Sequence, residues 1–342
     1  MNACSWLCID FSEVKWMDKK RLLPGSLACL GMLILIIDSK AALQAASDGV
    51  ALCIRTVIPS LFPFFVLSGI LVRQWTGRPI PFLRPLGRLL GMGAGAEALL
   101  VTGFLGGYPV GAKAVADSWK SGNLSKRDAN RLLSFCSNPG PAFLFGMAAP
   151  MFSHPGAGWL LWGIQIISAL WVGMIFREEP DLPGTVTPTG KLPMTQAVEN
   201  ALSVTAQVCG WVILFRILST FAQRWFLWWL PDWLDVVFTG FLELTNGCLS
   251  LEEIPREDIR FLLCSAMLSW GGFCVVMQTA SVINGLSLRN YLQGKFLQTG
   301  FCLLFCAVCM GLVHPVCLIS GFLPFLLQKV KKRSSNPKAA VV

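Results

Sequence analysis

The chain has 342 residues, 54% of them hydrophobic and only 14% charged, with a formal net charge of +9 and a mean hydropathy of +0.60. A water-soluble domain of this size needs far more charge to cover its surface, so lipid is the solvent for most of the chain. The excess of base does not point to nucleic acid, because no polar basic domain is present to bind it.

A basic trio, Lys19-Lys20-Arg21, opens the first apolar run at 22–37. With the small residues at 41–47 it has the outline of a signal peptide. The long segment ahead of it and the spans behind it favour an uncleaved first crossing. A second run covers 50–72, and both runs approach the roughly 17–25 residues that cross a bilayer core. Residues 89–112 lie between two basic stretches, 73–88 and 113–131. Short cationic loops stay on the cytoplasmic side, so 89–112 is expected to enter and leave by one face as a re-entrant hairpin, with Glu97 starting a helix.

The turn of that hairpin, Gly106-Gly107-Tyr108-Pro109-Val110-Gly111-Ala112-Lys113, cannot continue a helix. Proline lacks a donor and glycine loosens the backbone. The next predicted span, 132–152, holds a second interruption at Ser137-Asn138-Pro139-Gly140-Pro141. Unpaired peptide groups at membrane depth persist only where protein buries them or where they line a water-filled cavity. Half-helix N-termini at such breaks favour an anion; a packed structural kink is the alternative reading of each. Lys113 either meets a carboxylate of such an anion or snorkels to the inner surface.

Beyond the span at 159–176, the proline- and glycine-rich stretch 178–191 reads as a linker. The span at 201–221 leads to Trp225, Trp228, Trp229 and Trp233, which suit the headgroup layer. Residues 236–250 form a second expected re-entrant segment, and within it sits Glu243. A carboxylate at that depth is costly and is a functional candidate. It binds a coupling cation, carries a proton, caps amides of the opposed break, or is purely structural. Thr245 and Asn246 lie beside it, and Ser269 and Gln278 are neutral candidates in the span at 261–283. Spans at 296–313 and 315–327 and the basic tail 329–333 complete the chain. Cys302, Cys306 and Cys309 are read as core or lipid-facing thiols rather than a cluster, and two histidines give no metal site.

An internal repeat runs through this order. Val101-Thr102-Gly103-Phe104-Leu105 matches Phe238-Thr239-Gly240-Phe241-Leu242, and 132–140 has a counterpart at 261–271. The intervening loops differ in sign: 113–131 holds five cations against two carboxylates, whereas 251–260 holds four carboxylates against two cations. Equivalent loops of opposite charge belong on opposite sides. The expected fold is an all-α polytopic membrane protein of two inverted-topology repeats, with about eight spans and two re-entrant broken segments. Its expected divisions are a cytoplasmic segment 1–21, a first span and loop 22–48, a repeat at 49–177, a linker 178–199, a second repeat at 200–313, and a last span with cytoplasmic tail 314–342.

Gly107-Tyr108-Pro109-Val110-Gly111-Ala112-Lys113, then Ser121-Gly122-Asn123-Leu124-Ser125, then Phe135-Cys136-Ser137-Asn138-Pro139-Gly140-Pro141 resemble the YlbJ family of sporulation integral membrane proteins. Glu243-Leu244-Thr245-Asn246-Gly247 resembles that family's second-half signature, and the likeness runs from about 50 to 313. Pro139 departs from the pattern, where a small polar residue is expected. The family is grouped with nucleoside-recognition, or Gate-domain, membrane proteins, which are similar to concentrative nucleoside transporters. The resemblance implies transport of dipicolinic acid into the forespore across its outer, mother-cell-derived membrane. Taken with the breaks and the buried carboxylate read above, substrate contacts are expected from Gly107, Tyr108, Pro109, Lys113, Ser137, Asn138, Gly140, Glu243, Thr245, Asn246 and Ser269.

The functional expectation is a transporter of a small anion in the lipid bilayer, with no cofactor, no nucleic-acid partner and room for a coupling ion. A non-transporting assembly or signalling factor and a nucleoside-type transporter are the alternatives. No paired catalytic carboxylates or Ser–His set points to an enzyme. Oligomeric state is not legible.

Overall fold

The computed structural model describes residues 19–75, 77–181 and 192–313, with side chains from residue 25 onward apart from Val72. The predicted last span at 315–327 and the basic tail lie outside the described residues, as does most of the predicted linker. Every regular element described is helical. Five helical stretches are long and apolar enough to cross a membrane: Ser39–Trp75, Ala157–Ile175, Met194–Leu227, Glu257–Val282 and Leu288–Cys309. Two further apolar helices, Gly25–Ile37 and Pro141–Met151, are shorter.

Helices α1 (Lys19–Ile37), α2 (Ser39–Leu52) and α3 (Ile58–Trp75) come first, the last two joined through a π-helical turn at Cys53–Val57. Similar π turns occupy Leu144–Ala148 and Gln223–Leu227. The first two contain the residue four positions before a helical proline, Pro59 or Pro150. A proline ring clashes with that carbonyl in a regular helix, and the wider turn makes room for it.

After the short α4 (Arg84–Leu89), helices α5 (Glu97–Leu105) and α6 (Val110–Lys120) form a hairpin broken at residues 106–109. Glu97 opens α5 as anticipated; it is fully buried and pairs with Arg84 at 2.8 Å. The hairpin legs touch backbone to backbone: a Cβ on Gly111 would meet Gly103 Cα at 2.9 Å and would collide with the Cys136 carbonyl.

The predicted span 132–152 is not one helix. Helix α7 (Lys126–Leu132) stops, the buried residues 137–140 form no regular element, and helix resumes as α8 at Pro141–Phe143 and runs on to Met151. Pro139 and Pro141 each remove a donor and push the preceding residue out of the helical region. The predicted span 261–283 is also divided, into α13 (Glu257–Trp270) and α14 (Gly272–Val282). Gly271 and Gly272 stand between them at φ +81° and +77°, a conformation other residues avoid. Helices α9 (Ala157–Ile175), α10 (Met194–Ala222) and α15 (Leu288–Cys309) are long. Helices α11 (Asp232–Leu242) and α12 (Leu244–Ser250) form a second hairpin, so close that a Cβ on Gly247 would collide with Gly240 Cα.

Burial is arranged for lipid. Leu43, Ile54, Leu67, Trp159, Ile167 and Phe296 face outward, whereas Lys295, Gln298, Gln165 and Glu243 are inside. Loop contacts order the two ends of the bundle. Before α9, Ser153 N donates to Glu257 at 2.8 Å and Arg260 reaches Met151 O at 2.9 Å. After α9, Arg127 donates to Glu179 O at 2.8 Å, and Ser125 Oγ lies 3.0 Å from Asp181. The basic loop before α7 and the acidic loop before α13 therefore lie at opposite ends of a 19-residue helix, about 28 Å apart.

Candidate functional site

The two interruptions of the first half meet at glycines: a Cβ on Gly140 would stand 2.9 Å from Gly107 Cα. Gly107 takes φ +75°, which turns the chain so that the side chain of Tyr108 enters the protein and Pro109 begins α6 as its cap. The Tyr108 hydroxyl lies 3.2 Å from Leu268 O and 3.4 Å from Ser269 O, at the end of α13 just before its break. Its single proton serves one of them, and its lone pairs remain to accept.

What it accepts comes from α15. Lys295 Nζ donates to Tyr108 Oη at 3.1 Å and to Gln298 Oε1 at 2.7 Å. Gln298 Nε2 donates onward to Asn138 Oδ1 at 2.9 Å, and Asn138 Nδ2 donates to Phe135 O at 2.8 Å. Lys295 and Gln298 are both fully buried. One polar chain thus links the first-half breaks, the end of α13 and α15. Among the described residues no carboxylate stands within ion-pair distance of Lys295. Its two bonded acceptors are neutral. A buried ammonium without a counter-charge is expensive, and it leaves attraction for an anion unspent. Ser137 Oγ and Gln165 Oε1 are also buried with no hydrogen-bond partner among the described residues.

On its other side Tyr108 faces a cavity of about 40 Å³, lined also by Gly107, Pro139, Gly140, Glu243, Thr245 and Gln278. That volume admits a water or two. Glu243 accepts from Thr245 N at 2.9 Å, Asn246 N at 2.7 Å and Asn246 Nδ2 at 2.7 Å. Of the roles weighed for it, capping amides of the opposed break is replaced by capping its own helix, α12. Its extended backbone (φ −142°, ψ 121°) turns the carboxylate back onto the first turn of that helix, the usual N-cap geometry. The remaining acceptor capacity faces the cavity.

The structure gathers Gly107, Tyr108, Asn138, Gly140, Glu243, Thr245 and Asn246 around this junction. Ser269 borders it: its Oγ lies 2.9 Å from Ala266 O and 3.1 Å from Thr299 Oγ1. Lys113 stands apart, half-exposed and paired with Asp117 at 2.6 Å. It projects on the far side of α6, three residues beyond the first one of that helix, into a separate cavity.

Lys295 and Gln298 were not among the residues expected from sequence. Lys295 falls one residue before the apolar run 296–313 and looks like a flank. Its signal lies in spacing: Tyr291, Lys295, Gln298, Cys302 and Cys306 recur at three- and four-residue intervals and are all buried on one face of α15.

The chain is similar to the sporulation integral membrane protein YlbJ of Bacillus subtilis (strain 168). The two are 28% identical over 303 residues, covering 74% of this chain and 73% of the relative. No family model matches the sequence, and no solved structure matches it. The protein is therefore an integral membrane protein, helical in every regular element of its described residues, and related to a sporulation membrane protein.

Proposed function

We propose that the chain is a membrane transporter of a small anionic metabolite, with dipicolinic acid, a compact aromatic dicarboxylate, as its first candidate cargo. The setting of this reading is the outer forespore membrane during sporulation, in keeping with the name of the relative. The observation that carries it is Lys295, a fully buried lysine bonded to neutral Tyr108 and Gln298 where the broken segments converge, whose charged form an arriving anion would stabilise. A carboxylate is the natural counter-charge for such a group. A neutral nucleoside gives no reason for it, so the anion is preferred over a nucleoside-type cargo. The reading needs no catalytic step and leaves Glu243 as the group for a coupling cation, if one is used.

Two inverted repeats with re-entrant hairpins give this site its place between halves. Support comes from paired glycine contacts, Gly103 with Gly111 in one hairpin and Gly240 with Gly247 in the other. It comes also from the opposite ends occupied by the basic and acidic loops. Ligand sites usually enclose about 300–1,000 Å³, so the cavity of about 40 Å³ describes a closed form, and binding requires Tyr108 and the breaks to part.

The test is uptake of labelled dipicolinate and of labelled nucleosides by proteoliposomes holding the full chain. Dipicolinate uptake is expected. Nucleoside uptake alone would overturn the anion. Uptake of neither would favour a sporulation assembly factor, a reading to which the small central cavity lends its only weight.

A further inference from the structure

A second cavity, of about 530 Å³, opens between α3, α6 and α10. Its wall carries Arg73, Lys113 and Lys120 against one carboxylate, Asp117, with the amides of Gln196 and Asn200 opposite. The size suits a small dicarboxylate, and the charge suits its sign.

The position of this cavity relative to the central one is set by two helices. Along the π turn and α3 the central cavity is lined by Val57 and Leu61, the outer one by Phe65, Gly69 and Arg73. On α10 the central cavity is lined by Val208 and Val212, the outer one by Asn200 and Val204. The helices thus run antiparallel along a common axis. One turn separates Leu61 from Phe65 and Val204 from Val208, about 6 Å along each helix. All four side chains are buried in one apolar cluster. The break of the first hairpin bridges the same divide, since Tyr108 lines the central cavity and Val110 the outer one.

We propose that the basic outer cavity is the loading site for a small dicarboxylate, and that the single apolar turn formed by Leu61, Phe65, Val204 and Val208 is the barrier between it and the central site. The proposal rests on the anion-transport reading. It gives Lys113 a role at the entrance, where substrate is collected, rather than at the buried network.

The test is chemical modification of the full-length protein in proteoliposomes, with wild type as the blank for native thiols. Asn200→Cys is placed in the outer cavity and Val212→Cys in the central one. Both are treated with a sulfonate-bearing and a trimethylammonium-bearing methanethiosulfonate of similar size. Asn200→Cys should react at least about threefold faster with the anionic reagent, because net positive charge concentrates anions even when partly screened. Adding Lys113→Gln and Lys120→Gln should erase that preference, dipicolinate should slow the reaction at Asn200→Cys, and Val212→Cys should react at least about tenfold more slowly. Equal rates for the two reagents, no protection by dipicolinate, or equally fast reaction of Val212→Cys would overturn the proposal. A protected outer cavity in a protein that takes up no dipicolinate would overturn the transport reading and leave the binding site standing.

Discussion

Replacing Lys295 by methionine keeps the length and apolar bulk of the side chain while deleting the ammonium and its bonds to Tyr108 Oη and Gln298 Oε1. Two opposed effects on stability follow. The variant no longer buries a charge, and substituting apolar residues for buried charges is often neutral or stabilising by about 1–4 kcal/mol. It also leaves Gln298 Oε1 without its donor, which costs about 1–3 kcal/mol for a buried acceptor, while the Tyr108 hydroxyl keeps its bond to Leu268 O. These offset each other, so folded yield and denaturation midpoint should change little. Binding should change greatly. Removing one partner of a buried charge pair costs about 2–5 kcal/mol, which is roughly 30-fold to a few thousand-fold in affinity at 1.4 kcal/mol per decade. The assay is dipicolinate uptake across a concentration series beside a thermal melt of the same preparation. Lys295→Arg should fall between wild type and methionine, since its planar fork keeps the charge but not the single-point geometry. A methionine variant that melts normally and saturates within about threefold of wild type would refute the assignment of Lys295 to the anion.

Three other variants probe the frame around it. Gly111→Ala drives a methyl into the Cys136 carbonyl and the Gly103 backbone, so it should lower the yield of folded protein or destabilise it by about 1–3 kcal/mol, as overpacking does; size-exclusion profiles and denaturation report it. Glu243→Gln replaces a carboxylate that accepts three N–H donors by an amide that presents an N–H₂ to some of them. A stability loss of about 1–3 kcal/mol is expected together with reduced uptake, and unchanged values for both would remove Glu243 from the site. Single cysteines at Lys120 and Glu253, labelled from one side of sealed vesicles, should report opposite faces; the same face for both would contradict the loop order at the two ends of α9.

Much of the frame was legible in the sequence because it depends on local chemistry. The lipid environment follows from apolar run length. The breaks at Gly106–Pro109 and 137–141 follow from proline and glycine, which act within a turn of where they stand. Loop charges anticipated opposite ends. The same local reasoning stopped short at 261–283, where apolar length suggested a continuous crossing and the paired glycines Gly271 and Gly272 divided it.

The site itself was decided by packing. Tyr108 and Lys295 are 187 positions apart, and Asn138 and Gln298 are 160 apart. No window of sequence contains either pair, and hydropathy assigned Lys295 to a flank. Folding also sorted residues that look equivalent in one motif. Tyr108 and Lys113 lie five positions apart, more than a helical turn, and the start of α6 between them turns Tyr108 inward to Lys295 and Lys113 outward to Asp117. Glu243 was visible as a costly carboxylate, but its bonds to the amides of α12 depend on the backbone bend at the break. Sequence alone determines the solvent, the places where helices must end and the sign of each loop, because these are properties of neighbouring residues. Which buried charge faces which broken helix is a property of distances between remote segments, and only the tertiary structure decides it.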